Sequence, residues 1–79
     1  MNKVFFSAKS FESGIAMKFR LFDMHGAQLY NKAGVEIGDT GVYYFDWSVY
    51  VTKNEEYICI AHKKGERNVW QNFKHFIAD

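Results

Sequence analysis

The sequence predicts an all-β fold, a small antiparallel β-sandwich of about six or seven strands. Three observations predict it. Apolar residues recur at every second position through most of the chain, the period of a half-buried strand. Turn residues punctuate these runs at about 8–12-residue intervals, the spacing of short strands in a sandwich or barrel. Finally, Asp39-Thr40-Gly41-Val42-Tyr43 has the Asp-x-Gly-x-Tyr pattern of a tyrosine corner, in which a phenol bonds back to main chain where the strand crosses between sheets. Asp39, Gly41 and Tyr43 are therefore the expected structural corner.

The elements follow in chain order. Val4 to Ser7 reads as a first strand, followed by a loop around Ser10 to Gly14. Ile15, Met17, Phe19 and Leu21 alternate with Ala16, Lys18 and Arg20, which places a strand over 15–22. Asp23-Met24-His25-Gly26 supplies an Asp that bonds its own backbone and a Gly that accepts a positive φ, so the chain reverses into a strand over 27–31. Ala33-Gly34 and Gly38-Asp39 bracket Val35 to Ile37. Tyr43, Phe45, Trp47, Val49 and Val51 then share one parity, predicting a long strand that runs to Thr52. Lys53 to Glu56 is a polar turn. Tyr57-Ile58-Cys59-Ile60-Ala61 is apolar on both parities, the pattern of an internal strand covered on both faces, and Lys63 to Glu66 closes it. The last segment carries two patterns: Val69, Trp70, Phe73, Phe76 and Ile77 fall at helical spacing, with Asn68 and Gln71 as a capping pair, while 74–78 also alternates. A helix of about ten residues is marginal by itself, which favours a closing strand over a short C-terminal helix.

Seventy-nine residues form a single domain, 1–79, and 48% apolar against 24% charged residues make it a folded one. Ten Lys and Arg against nine Asp and Glu leave a net charge of +1, so no long-range field recruits nucleic acid, anionic membrane or acidic substrate. Aromatic residues make up 19% of the chain. Phe19, Tyr43, Phe45 and Trp47 are core by parity. A chain this short buries only about 60% of its unfolded surface, so the others cannot all fit inside. Phe5, Phe6, Tyr44, Tyr50, Trp70, Phe73 and Phe76 are the expected protein interface, through terminal strands or arms docked on neighbours. The opposite possibility is that both terminal segments cover the core of their own subunit. Cys59 is the single cysteine, which rules out an internal disulfide. The apolar run at Val4 to Phe6 is too short for a signal peptide, and no stretch approaches the length of a membrane span.

Candidate chemistry is sparse. His25, His62 and His75 have none of the spacings that put two metal ligands on one element. They read as a turn, a strand-end and a surface residue. Cys59 is flanked by Ile58 and Ile60 and reads as a packed thiol. Asp23, Asp39 and Asp46 sit at turns or on a wet face, where capping and solvation explain them. Gly34, Gly38 and Gly41 lack the Lys-Ser/Thr of a phosphate loop. No catalytic, cofactor or metal residue is expected. A nucleic-acid barrel would use Lys18, Arg20, Lys63, Lys64, Arg67 and Lys74 beside Phe22, Tyr44 and Tyr50, but Asp46 falls between the two tyrosines and acidic residues nearly cancel the basic ones.

The run Asp39-Thr40-Gly41-Val42-Tyr43-Tyr44-Phe45 looks like the start of strand F of immunoglobulin domains, with Phe45 where those domains carry their second cysteine. Only 38 residues precede Asp39, too few for the earlier strands of an antibody-type domain, so a shorter relative fits better. Leu21-Phe22-Asp23 with Gly26, then Gly38 to Phe45, then Tyr57 to Ala61, together resemble the short Ig-like or prealbumin-like modules of bacteriophage virion proteins over residues 15–65. The resemblance implies a non-enzymatic structural protein of the virion, made in the host cytoplasm, that binds other virion proteins in a multimeric assembly at the head, neck, connector or tail. It carries over turn and packing positions and no catalytic or metal residues. The alternatives from other classes are a single-stranded nucleic-acid-binding barrel and a small intracellular inhibitor of a host enzyme.

Overall fold

A computed structural model describes residues 2–65 and 71–79, and among them it is all-β, with seven strands in two antiparallel sheets. The strands are β1 (Lys3–Ser7), β2 (Met17–Asp23), β3 (Gln28–Ala33), β4 (Val35–Glu36), β5 (Val42–Asp46), β6 (Glu56–Lys63) and β7 (Gln71–Ile77). One sheet has the order β1-β5-β4 and the other β3-β2-β6-β7. The chain passes from one sheet to the other between β1 and β2, between β3 and β4, and between β5 and β6. The two sheets pack as a small sandwich about a single core drawn from both.

The period-2 patterns place that core. Val4 and Phe6 of β1, Met17, Phe19 and Leu21 of β2, Tyr43 of β5, and Tyr57, Cys59 and Ala61 of β6 all face inward and are buried. The Phe6 and Phe19 rings meet edge to face across the gap with centroids 5.3 Å apart. Gly34 lies at the second crossover because a Cβ there would run into the Phe19 ring. Full burial of each large side chain contributes about 1.5–3 kcal/mol, so Phe19, Tyr43 and Trp47 carry much of the stability.

The β2–β3 hairpin closes as its residues require. Asp23 Oδ1 accepts the His25 and Ala27 N–H groups at 2.9 and 3.0 Å, and the Gly26 N–H donates to Asp23 O. A register shift between Leu21 and Phe22 puts a bulge into this pair.

Two expectations are corrected. The long strand to Thr52 stops at Asp46: its carboxylate accepts the Ser48 N–H at 3.0 Å, and Tyr50 N–H donates to Trp47 O at 2.8 Å, so the chain turns and Val49 is left 86% exposed. Trp47 keeps its inward place at the end of the strand, whereas Phe45 is only partly buried. The strand over 57–61 is internal to its sheet, between β2 and β7, but Ile58 and Ile60 on its outer face are only half-buried. The C-terminal segment is, in line with the favoured closing strand, a strand over 71–77, with Phe76 half-buried and Ala78 fully buried, because pairing with β6 satisfies backbone that a short isolated helix cannot. Residues 68–70 of that expected segment lie outside the described residues.

The chain ends are not free arms. Asn2 O accepts the Trp47 N–H at 3.0 Å and Asn2 Oδ1 accepts the Asp79 N–H at 2.8 Å. Val4 and Phe6 of β1 and Ala78 just after β7 are accordingly buried in the core of this same chain.

Candidate interaction surface

The tyrosine at the expected corner does fasten a crossover, though not the one next to it. Tyr43 is 1% exposed, and its hydroxyl donates to Glu12 O at 3.0 Å while accepting the Ile15 N–H at 3.2 Å. Both partners lie in the β1–β2 connection, about thirty positions upstream, so Tyr43 ties β5 to the crossing segment instead of closing its own strand's turn. Asp39 is correspondingly an exposed turn residue. Thr40 stabilises that turn, its hydroxyl donating to Ile37 O at 2.7 Å and accepting the Val42 N–H at 3.2 Å.

Gly41 is indispensable for a reason the motif alone does not reveal. Its φ is +72°, and a Cβ would collide with the Phe11 backbone. Phe11 and Ser10 themselves take left-handed φ values of 53° and 57°, which costs about 1 kcal/mol or more each. Tyr43 and Glu36 tie down the chain immediately after this strained segment, at Glu12 to Ile15, and the Phe11 N–H donates to Ala8 O at 2.9 Å within it.

Glu36 is the member of this group that the sequence pattern missed. Its carboxylate accepts the Ser13 hydroxyl at 2.7 Å, the Gly14 N–H at 3.0 Å and the Gly41 N–H at 3.0 Å. The Gly14 and Ser13 donors hold its carboxyl below the usual carboxylate range. A lone Glu in a two-residue strand carries no sequence signal for such a role, since two of its three donors, Ser13 and Gly14, lie more than twenty positions upstream.

Six of the seven expected interface residues are described, and they separate into four environments. Phe5 and Tyr44 lie side by side on the outer face of the three-stranded sheet, ring centroids 5.6 Å apart, with Val35 next in the same cross-strand row. Phe5 is 41% and Val35 51% exposed, and the Lys3 ammonium sits 5.4 Å from the Tyr44 centroid. Phe73 is 64% exposed on the outer face of the four-stranded sheet, where it lines a depression of about 400 Å³ with Ile58, Ile60 and Asn72. Tyr50 and Phe76 are half-buried packing residues. Tyr50 wedges against Phe45, Trp47 and Tyr30 at the sandwich margin, and Phe76 stacks on Tyr57 at 5.8 Å. Phe6 is a core residue, because its parity on β1 turns it inward. Trp70 lies outside the described residues. Exposed Val35 and Ile77 and half-buried Ile58 and Ile60 join these outer-face apolar positions; only the 57–61 run, apolar on both parities, signals any of them in the sequence.

Titratable groups are dispersed. His25 is exposed in the β2–β3 turn; His62 is buried on β6, its Nδ1 at 3.0 Å from Lys63 O; His75 pairs on the surface with Glu56 at 2.9 Å. Among the described residues no three His, Cys, Asp or Glu side chains gather as a metal site. Burial pushes the Cys59 thiol up to about 12, with Trp47 and Lys74 pulling weakly the other way. An open cleft of about 490 Å³ lies between the β2–β3 and β5–β6 turns beside Asp23, His25, Lys53 and Glu55. Asp23 is already engaged there as a turn acceptor. Phe22 and Tyr44 stand on the outer faces of different sheets and Tyr50 packs at the margin, so the aromatic residues named for base stacking do not share one groove.

No family model, curated protein or solved structure matches this chain. The functional reading therefore rests on the surface just described: a single core drawn from both sheets, apolar rows on both outer faces, and the Tyr43 hydroxyl and Glu36 carboxylate engaged in holding loops.

Proposed function

We propose that this chain is a non-enzymatic structural module of a bacteriophage particle, acting by binding other particle proteins. The observation that carries the binding part is the placement of exposed apolar side chains. A sandwich measuring 33 × 25 × 15 Å across its Cα frame fills its interior and still displays Phe73 and Ile77 on one outer face and Phe5 and Val35 on the other. Outer faces of a freely soluble sandwich are usually polar at alternate positions, and apolar rows in those positions fit contact with another protein. Aromatic anchors would supply most of the energy of such contacts.

The particle part is supported by the sequence resemblance of residues 15–65 to short phage virion modules. Purified virions of the phage that encodes the chain, separated by density gradient and probed for it by mass spectrometry, test this reading. Recovery at a fixed copy number per particle is the expected result. Its absence from intact particles, with the protein abundant in the lysate, overturns the assignment.

A further inference from the structure

Of the four sheet edges among the described residues, three carry a device that blocks strand addition and one does not. Natural edge strands avoid unwanted pairing by being short, by bulging, or by pointing a charged side chain inward, where an added strand would bury it. On β3 the inward position opposite Phe19 is Lys32, whose ammonium lies 4.9 Å from the Tyr50 ring centroid, and the strand is bulged as well. On β7 the inward position opposite Cys59 is Lys74, its ammonium 5.3 Å from the Phe6 centroid. On β4, only two residues long, the inward position opposite Tyr43 is Glu36. The corresponding inward positions of β1 are Val4 and Phe6.

The exposed backbone of β1 can be specified. Asn2 O accepts from Trp47 and Ala8 N–H donates to Gly41, so the even-numbered residues of this antiparallel pair direct their backbone groups at β5. Lys3, Phe5 and Ser7 therefore direct theirs outward, along an edge that pairs with no other strand among the described residues.

We infer that the β1 edge is a docking site for an extended segment of another protein, which adds as a fourth strand to the three-stranded sheet. This deepens the binding reading above and rests on it. The occupant's chemistry follows from what flanks the edge. On the outer face its side chain lies beside Phe5 and calls for an apolar or aromatic residue. On the inner side it lies near Phe6 and the Lys74 ammonium, which favours a carboxylate there and opposes a second copy of this chain, since that would bring a second Lys74 to the same margin.

A random heptapeptide library selected on the immobilised protein, with the enriched peptides then mapped by amide chemical shifts, tests the inference. Expected are peptides that alternate apolar and acidic residues and shift the amides of Lys3, Phe5 and Ser7. Phe5→Pro removes an outward N–H that the β1–β5 ladder does not use, so the fold persists while peptide affinity drops about tenfold or more. Phe5→Ala, which keeps that N–H, retains the amide shifts with a smaller loss. Peptides that map to the Ile58, Ile60 and Phe73 depression, equal affinity for Phe5→Pro, failure to enrich any sequence, or dimerisation of the protein through β1 would each overturn the inference. The first of these leaves the binding reading standing, and virion recovery tests the particle assignment separately.

Discussion

Replacing Tyr43 by Phe isolates the one hydroxyl that connects β5 to the strained β1–β2 crossover. The ring stays in the core, so no cavity opens, and the perturbation is the loss of two hydrogen bonds: one donated to Glu12 O at 3.0 Å and one accepted from Ile15 N–H at 3.2 Å. Each is worth about 0.5–1.5 kcal/mol net, giving a destabilisation of about 1–3 kcal/mol. The upper part of that range applies where Ile15 N–H, half-buried, loses its partner without gaining water. For a domain of this size about 1 kcal/mol moves Tm by roughly 4–8 °C, so a fall of at least about 4 °C is expected. Urea unfolding followed by tryptophan fluorescence measures it, with the slope of free energy against denaturant unchanged. Tyr44→Phe is the control, since that ring lies on the outer face and its hydroxyl makes no hydrogen bond among the described residues. A loss below about 0.5 kcal/mol for Tyr43→Phe, or an equal loss for both variants, would refute the idea that the hydroxyl fastens the crossover.

Three further outcomes follow from the same geometry. Gly41→Ala should cost about 2 kcal/mol or more in chemical denaturation, because it combines a left-handed φ with a collision against the Phe11 backbone; Gly38→Ala, at φ 56° with open space around it, should cost only the conformational part, and equal losses would remove the collision from the account. The Glu36 carboxyl is held below its ordinary value of 4.5 in the folded state, so its contribution is fully present above that pH and is lost as pH falls through the lower folded value. Stability measured from pH 7 downward should therefore fall less steeply below pH 4.5 in Glu36→Gln than in the parent protein, whereas parallel curves would contradict the hydrogen-bonded carboxylate. The buried Cys59 thiol, pushed up to about 12, should react with a thiol reagent at pH 8 only as fast as the protein opens globally; labelling that stays rapid in native buffer and is insensitive to stabilising conditions would show a local route to it.

Much of the fold was legible because the strands obey a local rule. Met17, Phe19 and Leu21, or Tyr57, Cys59 and Ala61, alternate because each strand has one inward face, and a two-residue period is written in the chain whatever it packs against. The Asp23 turn was legible for the same reason, its donors lying two and four residues away. The strand beyond Asp46 misled because Val49 and Val51 continue the alternation, while the side-chain bond from Asp46 to Ser48 that ends the strand competes at equal range. Phe6 was read as surface because its burial depends on the opposite sheet, through Phe19.

What the sequence alone determined is thus the class of fold, the inward parity of most strands, Tyr43 among them, and the hairpin turn. The tertiary structure alone decided what Tyr43 bonds to, that Glu36 gathers three donors, which aromatic residues reach the surface, and which sheet edge is open. The physical reason is range. Alternation and turn chemistry act over a few residues, whereas hydroxyl to Glu12, carboxylate to Gly14, and lysine to aromatic ring are contacts between chain segments that only closure of the two sheets brings within reach.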